Sequence, residues 1–247
     1  GKRVALKCEV PIISSSKAKL TSAAIACKEA ELIGYPVMLK AAAGGGGRGM
    51  RVIREPEELT NSFEEARRES KNAFGDDTMF LEKFVENPKH IEVQIVADNH
   101  GTIRHLFERD CSVQRRYQKV VEVAPSFGLA EKTKKDLYDY AIRIAQEVNY
   151  NNVGTIEFLL DDKLNIFFIE VNPRIQVEHT VTEMVTGIDL IKTQIFVAGG
   201  YRLSDRQIKI GDQESLKTTG FAMQCRITTE DPEHDFKPDY GVVTTYR

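Results

Sequence analysis

Residues 40–52 read KAAAGGGGRGMRV, with five glycines among the six positions 44–49. The run constrains the fold through the residues on its C-terminal side. Gly44-x-Gly46-x-x-Gly49 formally satisfies the dinucleotide fingerprint, but that fingerprint needs its glycines to open a helix facing a pyrophosphate. Here Met50 to Ile53 continue as a strand, and the first helix start is Pro56. The Gly-Lys-Ser/Thr of a Walker loop does not occur either. What remains is a glycine turn between two strands. Its backbone N–H groups and positive-φ freedom suit close approach to phosphate, and Lys40 supplies a charge on the preceding strand. The alternative is a surface hairpin without a ligand, which gains nothing from five glycines that all lose entropy on ordering.

The rest of the chain repeats the strand–turn–strand theme. Thr21 to Ile33 predicts a helix capped by Thr21 or Ser22 and stopped by Gly34 and Pro36. Strands are expected at 36–42, 50–55 and 78–85, with an amphipathic helix over 56–74 between Pro56 and Gly75. HIEVQIVAD (90–98) and TIRHLFERD (102–110) alternate on either side of Asn99-His100-Gly101, a hairpin signal. A helix over 131–148, strands at 152–161 and 165–172, one long apolar helix over 179–199 and a strand-rich last forty residues complete the expectation. The fold class is α+β, not a doubly wound parallel sheet.

At 247 residues and 41% hydrophobic, the chain can bury one large core or two smaller ones. A formal net charge of −3 gives no reason to expect nucleic acid or an anionic membrane as partner. Cys8, Cys27, Cys111 and Cys225 include no CxxC pair and read as reduced thiols. With no signal peptide and no transmembrane run, the expected location is cytoplasmic.

The second chemical signal is TIEFLL-DDKLN-IFFIEVN. If its strands pair around a turn near Lys163–Leu164, Glu157 lies opposite Glu170 on one face, with Asn172 two residues along. Two carboxylates ~5 Å apart repel by about 3 kcal/mol at an effective dielectric of ~20. A divalent cation turns that repulsion into coordination, and two carboxylates plus an amide oxygen suit Mg²⁺ or Mn²⁺ shared with phosphate. A register shifted by one residue would instead put the glutamates on opposite faces. Asn172-Pro-Arg174-Ile-Gln176-Val-Glu178-His179 comes next, placing Arg, Gln and Glu at alternating positions. They could stabilise an anion and move a proton beside the metal, or form a structural Arg–Glu pair. RDCSVQRRYQKVV (109–121) is equally two-sided, either a solvated basic face or an anion-binding strand.

Together, KAAAGGGGRGMRV, FLEKFVENPKHIEVQ, ERDCSVQRRYQKVVEVAP, GTIEFLL, FIEVNPRIQVEHTVTEM and QCRITTEDP resemble the biotin carboxylase family of ATP-grasp enzymes across nearly the whole chain. VEHTVTE, CRITTEDP and FKPDYG are nearer to the branch that passes its carboxyl group to pyruvate, giving oxaloacetate. Acyl-CoA carboxylases, including those acting on acetyl-CoA, more often read HPVTE and NAEDP. The resemblance implies an ATP-grasp fold divided into the end of an N-terminal domain or linker (1–13), a glycine-lidded subdomain (14–84), a second subdomain with metal and bicarbonate site (85–203) and the start of a C-terminal domain (204–247). It implies ATP, Mg²⁺ or Mn²⁺, bicarbonate and a biotin tethered to a carrier domain outside this chain. A carboxyltransferase domain and a homodimer or higher oligomer are further expected partners.

Residue by residue, the resemblance assigns Lys40, Gly45, Gly46 and Gly47 to the ATP phosphates. Glu82, Lys83 and Val85 match the adenine-holding strand, and His90 and Gln114 match nearby nucleotide contacts. Glu157, Glu170 and Asn172 match metal ligands, while Lys119, Arg174, Gln176 and Val177 match the bicarbonate pocket. Glu178 matches the general base, Arg174 the residue that stabilises the biotin enolate, and Arg226 the one that holds carboxyphosphate or biotin. Tyr117 departs from the usual histidine, and IISSSKAKL (12–20) lacks the usual Pro-Gly. The family also places an ATP lysine just upstream of the present Gly1, so this core alone is expected to bind nucleotide weakly and turn over poorly. A non-catalytic nucleotide-binding module is the rival reading; it would need Lys40, Glu157 and Glu170 but have no use for Glu178 and Arg174.

Overall fold

The computed structural model describes residues 1–44, 49–234, 236–239, 242 and 245. The assigned Gly45, Gly46 and Gly47 therefore lie outside the described residues. Every pairing between named strands is antiparallel, as the α+β expectation requires.

A short helix α1 (Lys2–Lys7) precedes α2 (Ala23–Ile33), which Ser22 caps through its Oγ on the Ile25 N–H at 3.4 Å. Strands β1 (Val37–Ala41) and β2 (Met50–Ile53) flank the glycine run, α3 (Pro56–Phe74) comes after them, and β3 (Met79–Lys83) closes a sheet of order β2-β1-β3. The α3 limits coincide with the expected ones because Pro56 suits the first turn and Gly75 takes the left-handed conformation at φ 77°. Leu39 and Leu81 of the sheet bury against Ala26 and Ala30 of α2 and Leu59 and Phe63 of α3.

The second sheet has six strands, in the order β8-β7-β4-β5-β6-β9. It comprises β4 (Lys89–Ala97), β5 (Ile103–Arg115), β6 (Gln118–Ala124), β7 (Asn152–Leu160), β8 (Ile166–Asn172) and β9 (Ala222–Cys225), with α4 (Glu131–Glu147) between β6 and β7. Ile91, Val93, Ile95, Ile156 and Phe158 point into one core with Leu137, Ala141 and Ile144 of α4. The period-2 alternation of a strand then sends His90, Glu92 and Gln94 to the opposite face.

Three local expectations are corrected. Helix 179–199 is two helices, α5 (His179–Thr186) and α6 (Leu190–Ala198). Gly187 ends the first in the left-handed region at φ 72°, and the Asp189 carboxylate caps the second on the Lys192 N–H at 2.7 Å. The strand expected at 102–110 runs on to Arg115 and turns back through Arg116 and Tyr117, both at positive φ. The strands of the last forty residues are, among those described, only β9 and the two-residue β10 (Glu230–Asp231) and β11 (Lys237–Pro238), beside two 3-10 turns at Gln213–Ser215 and Pro232–His234.

Candidate active site

The β7–β8 hairpin sets the site's register. Glu157 pairs with Glu170 and Thr155 with Asn172, but Phe158 pairs with Phe168, so Ile169 is an extra residue in β8. Without this bulge the turn's own register would have put Glu157 opposite Ile169. Glu92 on β4 pairs with Glu157 on one side and Arg109 of β5 on the other. Glu170, Glu157, Glu92 and Arg109 thus form one row across four strands. The expected repulsion within it is relieved by divergence: Glu170 faces solvent, whereas Glu157 is buried.

Buried Glu157 spends its acceptors on four donors. Oε1 receives Lys119 Nζ at 2.8 Å, Asn172 Nδ2 at 2.9 Å and Gln176 Nε2 at 2.9 Å. Oε2 lies 2.8 Å from His90 Nε2, and Gln114 Nε2 donates to His90 Nδ1 at 2.7 Å. Burial alone would raise the Glu157 carboxyl, but the His90 hydrogen bond and then the Lys119 ammonium hold it far below the ordinary range.

Lys119 is the hub. Its ammonium lies 2.5 Å from Glu92 Oε2, 2.8 Å from Glu157 Oε1 and 2.7 Å from Glu178 Oε1. Burial would lower its pKa; the three carboxylates, Glu92 first, push it well above the usual lysine value. Of the two readings of 109–121, the solvated face therefore fails at Lys119. Glu178 immediately precedes α5, with its second oxygen 2.8 Å from Arg226 Nη2. Against its burial, Lys119 and then Arg109 keep its carboxyl below the usual range. Arg226 also donates from Nε to Glu122 Oε1 at 2.6 Å. Arg174, at the exposed rim, reaches Asn172 Oδ1 at 3.4 Å, and Val177 is exposed beside buried Gln176.

A second group forms on β1 and β3. Lys40 Nζ lies 2.5 Å from Glu82 Oε2, and Lys2 pairs with the other oxygen. Burial opposes ionisation of Glu82, but Lys40 and Lys2 hold its carboxyl below the ordinary range. Lys83 donates to the Gly34 and Tyr35 carbonyls at 2.9 Å each, and Val85 lies just past β3, half-buried.

The sequence reading missed Glu92, Arg109 and Glu122, all fully buried. Glu92 and Glu122 each sit between apolar neighbours and Arg109 between two acids, Glu108 and Asp110; the His-x-Glu-x-Gln alternation in HIEVQIV was the available signal for Glu92. Four buried carboxylates (Glu92, Glu122, Glu157, Glu178) face three cations (Lys119, Arg109, Arg226). An anionic excess and hard oxygen donors fit Mg²⁺ or Mn²⁺. The tight groups of metal-capable side chains among the described residues are His90/Glu92/Glu157 and Glu92/Cys111/Glu178; of the assigned ligands they include Glu157. No helix of the described residues is long and apolar enough to cross a membrane.

Known proteins bear on this geometry. The carbamoyl-phosphate synthase L chain ATP-binding domain family matches residues 2–206. Pyruvate carboxylase of Staphylococcus aureus is 51% identical over all 247 residues, which span 21% of its length. A structure of Rhizobium etli pyruvate carboxylase with the allosteric activator acetyl coenzyme-A matches 99% of this chain and 21% of its own, at 52% identity and a TM-score of 0.89. The biotin carboxylase domain dimer of Hydrogenobacter thermophilus 2-oxoglutarate carboxylase, in complex with MgADP, ADP and bicarbonate, matches 96% of this chain and 51% of its own, at 46% identity and a TM-score of 0.88. The fold is that of the ATP-grasp biotin carboxylases, and the chain spans about a fifth of the length of the pyruvate carboxylases it matches. The match over residues 2–206 makes this chain a member of the carbamoyl-phosphate synthase L chain ATP-binding domain family.

Proposed function

We propose that this chain is the ATP- and bicarbonate-handling core of the biotin carboxylase part of a pyruvate carboxylase. The observation that carries the proposal is Glu178, a buried carboxylate clamped between Lys119 and Arg226 beside Gln176. Held ionised at neutral pH, it is ready to take the proton of a bicarbonate seated against Lys119, Arg174, Gln176 and the backbone of Val177. The deprotonated anion attacks the γ-phosphate of ATP, giving carboxyphosphate and ADP. Carboxyphosphate breaks down to CO₂ and phosphate, the released phosphate takes the N1 proton of the carrier-bound biotin, and the deprotonated N1 attacks CO₂ to give carboxybiotin. Arg174 and Arg226 face the anionic partners of both steps.

On this reading Lys40 and the 44–49 loop hold the phosphates, Glu82, Lys83 and Val85 the adenine, and His90 and Gln114 further nucleotide groups. Glu157, Glu170 and Asn172 would hold Mg²⁺ or Mn²⁺, which neutralises phosphate charge when bound. The division at 14–84, 85–203 and 204–247 belongs to the same proposal; β9, from the last segment, joins the larger sheet. So do a biotin carrier domain, a carboxyltransferase domain, assembly as a dimer or larger oligomer, and a cytoplasmic location.

Bicarbonate-dependent ATP cleavage with free biotin, measured on the full-length carboxylase carrying this chain, tests the reading. Glu178→Gln is expected to slow it about 100-fold with little change in the KM for ATP. Undiminished cleavage would remove Glu178 as the base, and ATP binding without bicarbonate-dependent cleavage would leave a nucleotide-binding module.

A further inference from the structure

Arg109 has no place in that reaction scheme, yet it is the largest fully buried side chain among the described residues. Its guanidinium donates from Nε to Glu92 Oε1. Nη1 donates to Gln94 Oε1 at 2.7 Å and Thr182 Oγ1 at 2.9 Å, and Nη2 to Thr155 Oγ1 at 3.2 Å and Gln176 Oε1 at 3.3 Å. Five donors meet five acceptors drawn from β4, β7, α5 and the segment that ends at Glu178.

A guanidinium has no acceptor, so each amide that meets it must present oxygen. Gln176 therefore turns Oε1 to Arg109 and Nε2 to Glu157, at 2.9 Å. Glu92 likewise gives one oxygen to Arg109 and the other to Lys119, at 2.5 Å. Thr182, one turn into α5, ties the helix that starts next to Glu178 to the sheet. We propose that Arg109 is a positioning residue for the bicarbonate pocket, fixing the Gln176 amide and the Glu92–Lys119 pair in the orientation that receives the anion. This rests on the biotin carboxylase reading. Lysine could keep the charge but has no planar fork with which to orient two amides and a carboxylate at once.

The ATP-side residues Lys40, Glu82, His90 and Gln114 are not among its partners, so the effect separates by substrate. Arg109→Lys in the full-length enzyme is expected to raise the KM for bicarbonate about tenfold or more while the KM for ATP stays within about twofold. Thr182→Val, which removes one acceptor and preserves shape, should raise the bicarbonate KM about two- to threefold. Equal rises for both substrates, or none, in Arg109→Lys would overturn the proposal. If that variant fails to fold, an unchanged bicarbonate KM in Thr182→Val would overturn it instead. Absence of bicarbonate stimulation in the unsubstituted enzyme would sink the functional reading and this proposal together. Stimulation with unaltered constants in the variants would sink this proposal alone.

Discussion

The two sheets share an antiparallel construction but treat charge in opposite ways. In the three-stranded sheet the core is apolar, and the one buried acid, Glu82, is shared by Lys40 and Lys2 at its edge. In the six-stranded sheet one face packs α4 through Ile91, Val93 and Phe158, while the other buries Glu92, Arg109, Glu122, Glu157 and Glu178 around Lys119. A grip on phosphate needs a cation that stays near water. Proton transfer and anion stabilisation need charges desolvated and fixed in advance. The contrast predicts that losing a charge costs far more in the large sheet than in the small one.

The largest effect is expected at the hub. Lys119→Met leaves Glu92, Glu157 and Glu178 converging with no ammonium between them. Breaking such a buried ion group costs about 3–5 kcal/mol, measurable by urea unfolding without nucleotide. Adding Glu92→Gln should recover part of the loss. A cost below about 1 kcal/mol would mean that the cluster is effectively solvated and the contrast false.

Lys40→Ala makes the complementary case. Lys2 still pairs with Glu82, so stability should fall by about 1 kcal/mol or less, while calorimetry should show nucleotide affinity down about tenfold. A stability loss matching that of Lys119→Met would erase the distinction between the two sheets.

The same contrast explains what could be read in advance. The small sheet obeys local rules, so Pro56, Gly75, Ser22 and Gly34 mark its helices nearly to the residue. In the large sheet, signals competed. Gly187 and Asp189 stop and restart a helix inside one apolar run. Arg116 and Tyr117 make a positive-φ turn without the usual Asn or Gly, hiding the β5–β6 hairpin that delivers Lys119. The alignment of Glu157 with Glu170 depends on a bulge at Ile169 that no local feature announced. Glu92, Arg109 and Glu122 come together only when strands from separate hairpins share one sheet, which periodicity along a single strand does not reveal.

The smallest effect distinguishes the carboxylates from one another. Burial pushes the Glu122 carboxyl above the ordinary range, only partly opposed by Arg226, whereas Glu157 and Glu178 are held below it. A group whose folded pKa exceeds its unfolded one binds its proton more tightly in the folded protein. It therefore costs stability above the folded pKa, and that cost fades as pH falls through it. Glu122→Gln removes this cost, and Arg226 keeps its contact with Glu178. The stability gained by the variant relative to the parent should be greater at pH 7.5 than at pH 5, by about 1 kcal/mol or less, in paired denaturation curves. A gain that grows toward acid would reverse the sign. Glu122 would then be a stabilising anion like Glu178, and the large sheet's buried charges would be alike in kind.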